Sequence, residues 1–482
     1  VSALQESPPA VQGLTAARRR LILGICCLSL FVVGIDVLGT NVALPSIGRD
    51  LGASSTQLQW VVDAFTVVLA SLLMLGGSVA DRVGRRRVFQ IGLVAFGVGS
   101  VLCSVAQSPT QLIGARMVQA VGGSMLNPVA MSIITNTFRE PRERARAIGV
   151  WGGVVGLGMA LGPVVGGVLV ASLGWRAIFW VNLPVVLVAL VLTARFVPES
   201  RADRPRRPDP LAQGLIVLML ATLTYGIIEG RNLGWGSPTV VLLVVAAVAS
   251  AVGLVVVERH RAEPLLDPRF FRSIPFCGSV IGAVLGFCAM GGFLFLNTLY
   301  LQEVRGFTPL EAGLMTLPMA VATAVVAPFS GRIVGSRGPR LPLVIAGLGV
   351  GASAVLLLRL TGTTSIANLG LAYLVFGIGF GSLNAPVTNA AVSGMPRQQA
   401  GVAAAIASTS RQAGSSLGVA ILPAVTFAAL TGPLRTSLAS ASHVGWWVML
   451  GCGAGLLVLA FVVTSPRAIS SRARLARELD QS

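Results

Sequence analysis

Runs of about 20 apolar residues, separated by short polar stretches, recur along the whole 482-residue chain. At 1.5 Å of rise per residue, each such run is long enough as a helix to cross the ~30 Å hydrocarbon layer of a bilayer. The pattern predicts fourteen spans, at 21–44, 57–79, 88–106, 111–136, 148–170, 177–197, 211–229, 238–257, 277–301, 312–330, 341–359, 367–392, 402–430 and 444–464. The expected fold class is therefore an all-α polytopic membrane protein. Composition agrees, with 54% of residues hydrophobic, 11% charged and a mean hydropathy of +0.81.

The connections alternate in charge. One set holds 27 arginines, in stretches such as "DRVGRRR", "REPRERAR", "ESRADRPRRPDP", "ERHRAEPLLDPRFFR", "GRIVGSRGPR", "MPRQ" and "SPRAISSRARLAR", and the other set holds six. Arg116, Arg195 and Arg411 complete the 36 and fall within spans. The positive-inside rule then puts both termini in the cytoplasm and the chain in the cell (plasma or inner) membrane. It also accounts for the net charge of +18 without a nucleic-acid partner. Trp60 and Trp235 fall at the opposite boundary, where interfacial Trp is expected.

All 36 basic residues are Arg. Without Lys there is no G-x-x-x-x-G-K-[ST] phosphate loop and no lysine Schiff base, so transport work would need a gradient or a partner ATPase. Cys26, Cys27, Cys103, Cys277, Cys288 and Cys452 lie in or beside apolar runs and read as reduced, buried thiols. His260 and His443 are too few for a metal site, and no cofactor is expected. Residues 1–20 read as a polar cytoplasmic leader rather than a cleavable signal, because the first apolar run is long enough to span.

An internal echo divides the chain. "GSVADRVGRR" begins at Gly77, and "GRIVGSRGPR" begins 254 residues later at Gly331; both read G-x-x-x-x-x-x-G-x-R. The expected organisation is a six-helix bundle over 21–197, cytoplasmic loops with two inserted helices (211–257) within 198–276, a second six-helix bundle over 277–464 and a cytoplasmic tail over 465–482. Repeated halves around a midplane site are a common transporter plan.

Three charges interrupt the early spans. Asp36 lies fifteen residues beyond Leu21, roughly 22 Å from the arginine-rich side at 1.5 Å per residue. Asp63, three residues after Trp60, lies about 5 Å below the opposite boundary by the same rise. Arg116 lies inside the fourth span. A charge at the bilayer centre costs about 2.5–3.5 kcal/mol on insertion scales, so such residues face the bundle interior or a wet cavity. The depths place all three in one zone, where they are expected to share a cavity; for Asp63 the alternative is a position near the headgroups. Asn41, Gln119 and Arg411 are further polar candidates for the cavity, Arg411 having an interfacial position as its alternative.

Two glycine-rich segments complete the inventory. In "GSVADRVGRRR", Gly77 and Gly84 permit a tight turn, and Asp81 can pair with Arg82, Arg85 or a helix terminus, with Arg86 adjacent. Such a loop can serve as a cytoplasmic latch, or be merely a solvated basic turn. "GLGMALGPVVGGVL" carries Gly158, Gly162, Pro163, Gly166 and Gly167 on one span, allowing close packing and a bend.

Gly77–Arg87, Arg116 in "RMVQAVGG" and "ALGPVVGG" resemble the conserved motifs of the major facilitator superfamily. "DVLGTNVALP", "GWRAIFWVNLP", "PRQQAGVAAAIASTSRQAGSSLGVAI" and the fourteen spans resemble its fourteen-helix drug/proton antiporter branch. The resemblance implies alternating access between two halves, a latch role for Asp81 and its arginines, proton coupling through Asp36 and Arg116, and an antiport gating helix at Gly158–Gly167. "WVVD" with Asp63 resembles exporters of lipophilic cations. Ala120 departs from the Gly expected after Gln119, and Gly335 stands where a second latch Asp is expected.

The leading expectation is a proton-driven exporter of lipophilic, drug-like small molecules, cations among them, working as a monomer in the lipid bilayer. The alternative is a self-resistance pump dedicated to one natural product. An uptake symporter and a non-transporting sensor fit less well, and no nucleophile–base or metal cluster points to an enzyme.

Overall fold

The computed structural model describes residues 15–138, 140–201, 209–261, 268–392 and 400–480. Most of the leader, and parts of the arginine-bearing loops at 139, 202–208, 262–267 and 393–399, lie outside those residues. Among the described residues the fold is all-helical. The helices are α1 (Ala16–Leu51), α2 (Ser55–Val83), α3 (Arg85–Ser104), α4 (Pro109–Thr137), α5 (Pro141–Leu173), α6 (Ala177–Trp180), α7 (Asn182–Phe196), α8 (Pro210–Leu233) and α9 (Pro238–Arg259). They continue as α10 (Ile274–Leu299), α11 (Pro309–Met315), α12 (Leu317–Arg337), α13 (Arg340–Leu357), α14 (Ile366–Val392), α15 (Ala400–Ala428), α16 (Leu434–Val462) and α17 (Pro466–Asp480).

Twelve helical segments among the described residues are long and apolar enough to cross a membrane. The helices α5 and α15, 33 and 29 residues long, pack among them. Two predicted spans are interrupted. The sixth breaks at Val181 between α6 and α7, where Pro184 removes an N–H from the helix ladder, and the tenth breaks at Thr316, just before Pro318. Beyond α10 the chain widens into a π-helical turn at Tyr300–Val304. The predicted tail instead contains α17, whose Leu475 is buried with Phe270, Phe276 and Ile406.

The 254-residue echo is structural. Ser54 and Gln57 form a capping box at the start of α2, and Thr308 and Glu311 form another at the start of α11, 254 residues on. Gly84 and Gly338 have the same separation, and both take positive φ, at 126° and 83°, in the turns that follow α2 and α12. Helices α1–α7 pack mainly on one another, as do α10–α16. The α8–α9 hairpin stands outside both groups, with α8 against α2 and α15 and the valines of α9 exposed on an apolar outer face.

The two groups meet at the end of the bundle that carries the α1–α2 turn. There one apolar cluster runs through Leu44, Ile47 and Leu58 of the first group and Leu294, Leu301 and Met319 of the second. Toward the α2–α3 end the first group has a separate core around Ile25, Phe89 and Ile133. Close approach at the joined end depends on missing side chains. A Cβ on Gly167 would lie 2.6 Å from Pro309 O, and one on Gly313 would lie 2.3 Å from Pro163 O.

The other glycines of the α5 motif face α1. A Cβ on Gly162 would come within 2.8 Å of Leu38 Cβ, and one on Gly166 within 2.6 Å of Gly39 Cα. Gly166→Val therefore forces backbone apart and is expected to cost about 1–3 kcal/mol. Gly24→Ala, with nothing within 4 Å of its Cβ, is the matched control. Thermal unfolding in detergent should separate them, and equal melting temperatures would remove the packing role assigned to Gly166.

Candidate functional site

Asp36 lies at the middle of α1, and its carboxylate is sealed inside the first helical group: Asp36 is 0% and Arg116 1% exposed. Arg116 Nη1 donates to Asp36 Oδ2 at 2.5 Å. Gln119 Nε2 and Asn182 Nδ2 each donate to Asp36 Oδ1 at 2.8 Å. Both amides also donate to Ser100 Oγ, at 2.9 and 3.2 Å. Four helices, α1, α3, α4 and α7, thus converge on one carboxylate.

The guanidinium is held with equal care. Its Nε donates to Val61 O on α2 at 3.2 Å, and Nη1 donates to Gln119 Oε1 at 2.7 Å. The Phe65 ring centroid lies 4.2 Å from Arg116 Cζ, and that of Phe179 lies 5.8 Å away. A buried ion pair is tolerable only when its hydrogen-bonding groups are largely satisfied. Here both Asp36 oxygens and the Arg116 Nε and Nη1 groups are bonded, while Asn182 Oδ1 has no partner among the described residues. Arg116 sits one turn before Gln119 on the same face of α4, so a single helix supplies both the cation and the amide that brace Asp36.

Asp63 does not join this cluster. It is fully buried on α2, where its Oδ1 accepts from Thr66 Oγ1 at 3.1 Å. Its Oδ2 has no hydrogen-bond partner among the described residues, and Ser416 of α15 faces it without closing a bond. Asp63 lies buried in the seam between the two groups. One turn earlier, Gln59 Nε2 bridges that seam by donating to Val419 O and Ala420 O at 3.1 and 3.3 Å. Asn41 points back to its own helix, donating to Val37 O at 3.0 Å. Arg411 is bonded to Ser408 Oγ at 2.5 Å and to Thr388 Oγ1 of α14 at 3.5 Å.

Further contacts tie the groups together at the α1–α2 end. Arg49 pairs with Glu303 at 3.1 Å, and Gln302 Nε2 donates to Val42 O at 2.7 Å. The π-helical turn presents both Gln302 and Glu303 toward α1. Beside the seam, Trp60 Nε1 donates to Glu229 of α8 at 3.0 Å, which is how an end-of-helix carboxylate and an interfacial Trp are both satisfied.

At the α2–α3 end, Asp81 pairs with Arg85 at 2.9 Å, and Gly84 makes the turn while Gly77 lies within α2. The tight glycine of that helix is Gly76, whose Cβ would lie 2.8 Å from Ser124 O. Arg82 is exposed, and Arg86 Nη2 donates to Ala194 O at 2.6 Å. Sequence reasoning missed Glu199, which accepts from the backbone N–H groups of Arg86 and Arg87 at 3.1 and 3.3 Å. It caps the otherwise uncapped start of α3. Asn182, which donates to Asp36, and Ser100, which accepts from the two amides, were also missed; a lone Asn in an apolar span was the available signal for Asn182.

The fold and this cluster define a polytopic secondary transporter. The profile of the Major Facilitator Superfamily matches residues 26–419, and the chain belongs to that superfamily. The chain is 37% identical over 412 residues to the multidrug resistance protein Stp of Mycobacterium tuberculosis, covering 85% of this chain and 76% of that one. It is 35% identical to the puromycin resistance protein pur8 of Streptomyces alboniger, covering 96% and 94%. It is 34% identical to the tetracenomycin C resistance and export protein of Streptomyces glaucescens, covering 82% and 73%. Among solved structures, a bacterial homologue of the human lysosomal transporter Spinster, inward-facing and unoccupied, superposes with a TM-score of 0.64 at 19% identity, covering 97% and 99% of the two chains.

Removing one partner of a buried pair leaves an uncompensated charge, at a cost of about 3–5 kcal/mol. Asp36→Ala is expected to lose stability on that scale, and Asp36→Leu combined with Arg116→Met to lose less than Asp36→Ala alone. Denaturant unfolding of the purified variants measures both. A double variant weaker than the single one would show that the ion pair is not what holds the four helices together.

Proposed function

We propose that the protein exports lipophilic, drug-like small molecules across the cell membrane, driven by proton entry and working by alternating access. It is a transporter of the efflux type, as its relatives at 33–37% identity are multidrug efflux and antibiotic-resistance proteins. The observation that carries the coupling is the sealed carboxylate of Asp36, bonded to Arg116 and to two amides drawn from other helices.

The transporter has fourteen spans, with α5 and α15 as the two beyond the twelve apolar segments. It comprises two six-helix halves, 21–197 and 277–464, with the α8–α9 hairpin between them. The α2–α3 end, with its arginine-rich loops, faces the cytoplasm together with both termini. The contacts at the α1–α2 end then close the outer side. The protein works as a monomer, with protons and drug-like molecules as its partners, and performs no enzymatic reaction.

In this scheme a proton reaches Asp36 when the outer side is open. Neutralising the carboxylate weakens its bond to Arg116, whose guanidinium also holds α2 through Val61 O. The α1, α2 and α4 helices are then free to shift against one another and return the carrier to the inward-open state. Release of the proton inward restores the pair. The Gly158–Gly167 face of α5 and the Asp81–Arg85 turn serve as gating elements at the two ends. Self-resistance against one natural product is the second reading, favoured by the relatives named for puromycin and tetracenomycin C.

In proteoliposomes carrying an internal pH-sensitive dye, adding substrate should move protons through the wild type. Asp36→Asn should abolish that movement while substrate still binds; proton movement that persists would exclude Asp36 as the coupling group. At the outer gate, Arg49→Glu should broaden the distance distribution between spin labels placed on α1 and α11. The exchange of charge, Arg49→Glu with Glu303→Arg, should narrow it again. A swap that fails to narrow it would rule out the pair as a gate contact.

A further inference from the structure

The Asp36–Arg116 pair compensates its own charges within the first half, whereas Arg411 in the second half has no such counter-charge among the described residues. Arg116 meets a carboxylate and a backbone carbonyl. Arg411, in the middle of α15, meets only two hydroxyls among the described residues: Ser408 Oγ at 2.5 Å and Thr388 Oγ1 at 3.5 Å. Hydroxyls orient a guanidinium but bring no negative charge to it. Its other N–H groups are left to whatever enters the space beside them, since the fork carries five donors.

The surroundings identify that space. Arg411 is only partly buried, so the guanidinium N–H groups not used by the two hydroxyls are open to a ligand. Three residues later Gly414 packs against Val284 of α10, so α15 and α10 are in backbone contact there. Five residues later Ser416 faces Asp63 across the seam. Arg411 therefore lies about 7.5 Å along α15 from the seam carboxylate, on the α2–α3 side of it. Thr388, which fixes it, belongs to α14, so two helices of the second half present the cation.

We propose that Arg411 is the anion-recognising group of the transport pathway, taking the carboxylate, phenolate or enolate of an amphiphilic organic anion. The assignment rests on the export reading above and extends its substrate class beyond cationic and neutral molecules to anions. The physical reason is cost. A permanently charged guanidinium within a membrane-spanning helix is costly unless it is paired or wet, and a guanidinium fork matches a carboxylate in a bidentate way. In the empty carrier water and the two hydroxyls serve it. An entering anion supplies the missing charge, and a cationic substrate gains nothing there.

The test uses the full-length protein in nanodiscs and two fluorescent probes, carboxyfluorescein as the anion and ethidium as the cation, with binding read by anisotropy. Wild type should bind carboxyfluorescein. Benzoate should compete and benzamide, its neutral counterpart, should not, a comparison that needs no variant. Arg411→Gln should raise the carboxyfluorescein Kd at least tenfold while the ethidium Kd changes less than twofold, and Arg411→Lys, which keeps the charge but not the fork, should recover only part of the loss. No anion binding by wild type, equal competition by benzamide, or unchanged affinity in a folded Arg411→Gln would each overturn the proposal. Ethidium export by wild-type proteoliposomes is measured in parallel. If export fails while Arg411-dependent anion binding stands, the export reading falls and the anion site survives. If ethidium is exported and the anion is not bound, the reverse holds.

Discussion

Burying a charge where water cannot reach is the constraint around which the first half is organised. The Asp36–Arg116 pair sits where an unpaired ion would cost several kcal/mol, so every polar atom around it must be supplied by protein. That requirement explains why α3, α4 and α7 each contribute a polar side chain at the same depth, and why Arg116 extends to α2 through Val61 O. It also fixes the helices relative to each other more strongly than apolar contact does, since hydrocarbon side chains gain little by leaving lipid for one another.

Close packing does the remaining work. With lipid outside and protein inside both apolar, helices associate through van der Waals contact and so need small residues where they cross. Gly162 and Gly166 bring α5 onto α1, while Gly167 and Gly313 bring α5 onto α11. One helix thus contacts its own half with one face and the opposite half with another, and its two sets of contacts cannot change independently. That geometry is suited to passing a shift near Asp36 to the seam between the halves.

The all-helical class and the recurrence of membrane-length helices were legible in the sequence because bilayer thickness sets a length that apolar runs must meet. Asp36 and Arg116 were legible because ions in apolar runs stand out. Azimuth was not. Helical rise gives the depth of Asp63, but lipid-facing and protein-facing positions are both apolar, so nothing in the pattern says which way α2 is turned. Asp63 was accordingly expected beside Arg116 and instead faces α15. Asn182 and Ser100 are neutral and escaped for the same reason. Glu199 caps α3 from more than a hundred residues away, a pairing that no local pattern encodes. The breaks at Val181 and Thr316 were hidden by hydropathy, which is indifferent to a missing backbone N–H.

Arg49 and Glu303 are separated by 254 residues, the same interval that relates the two capping boxes and the two glycine turns. They therefore occupy matching positions in the 254-residue echo, and they bind each other where the two helical groups meet. Two identical copies could never make this contact: a shared ancestral residue would have set like against like. The bridge joins opposite charges at matching positions of the echo, so each group meets the other with the charge that the other lacks.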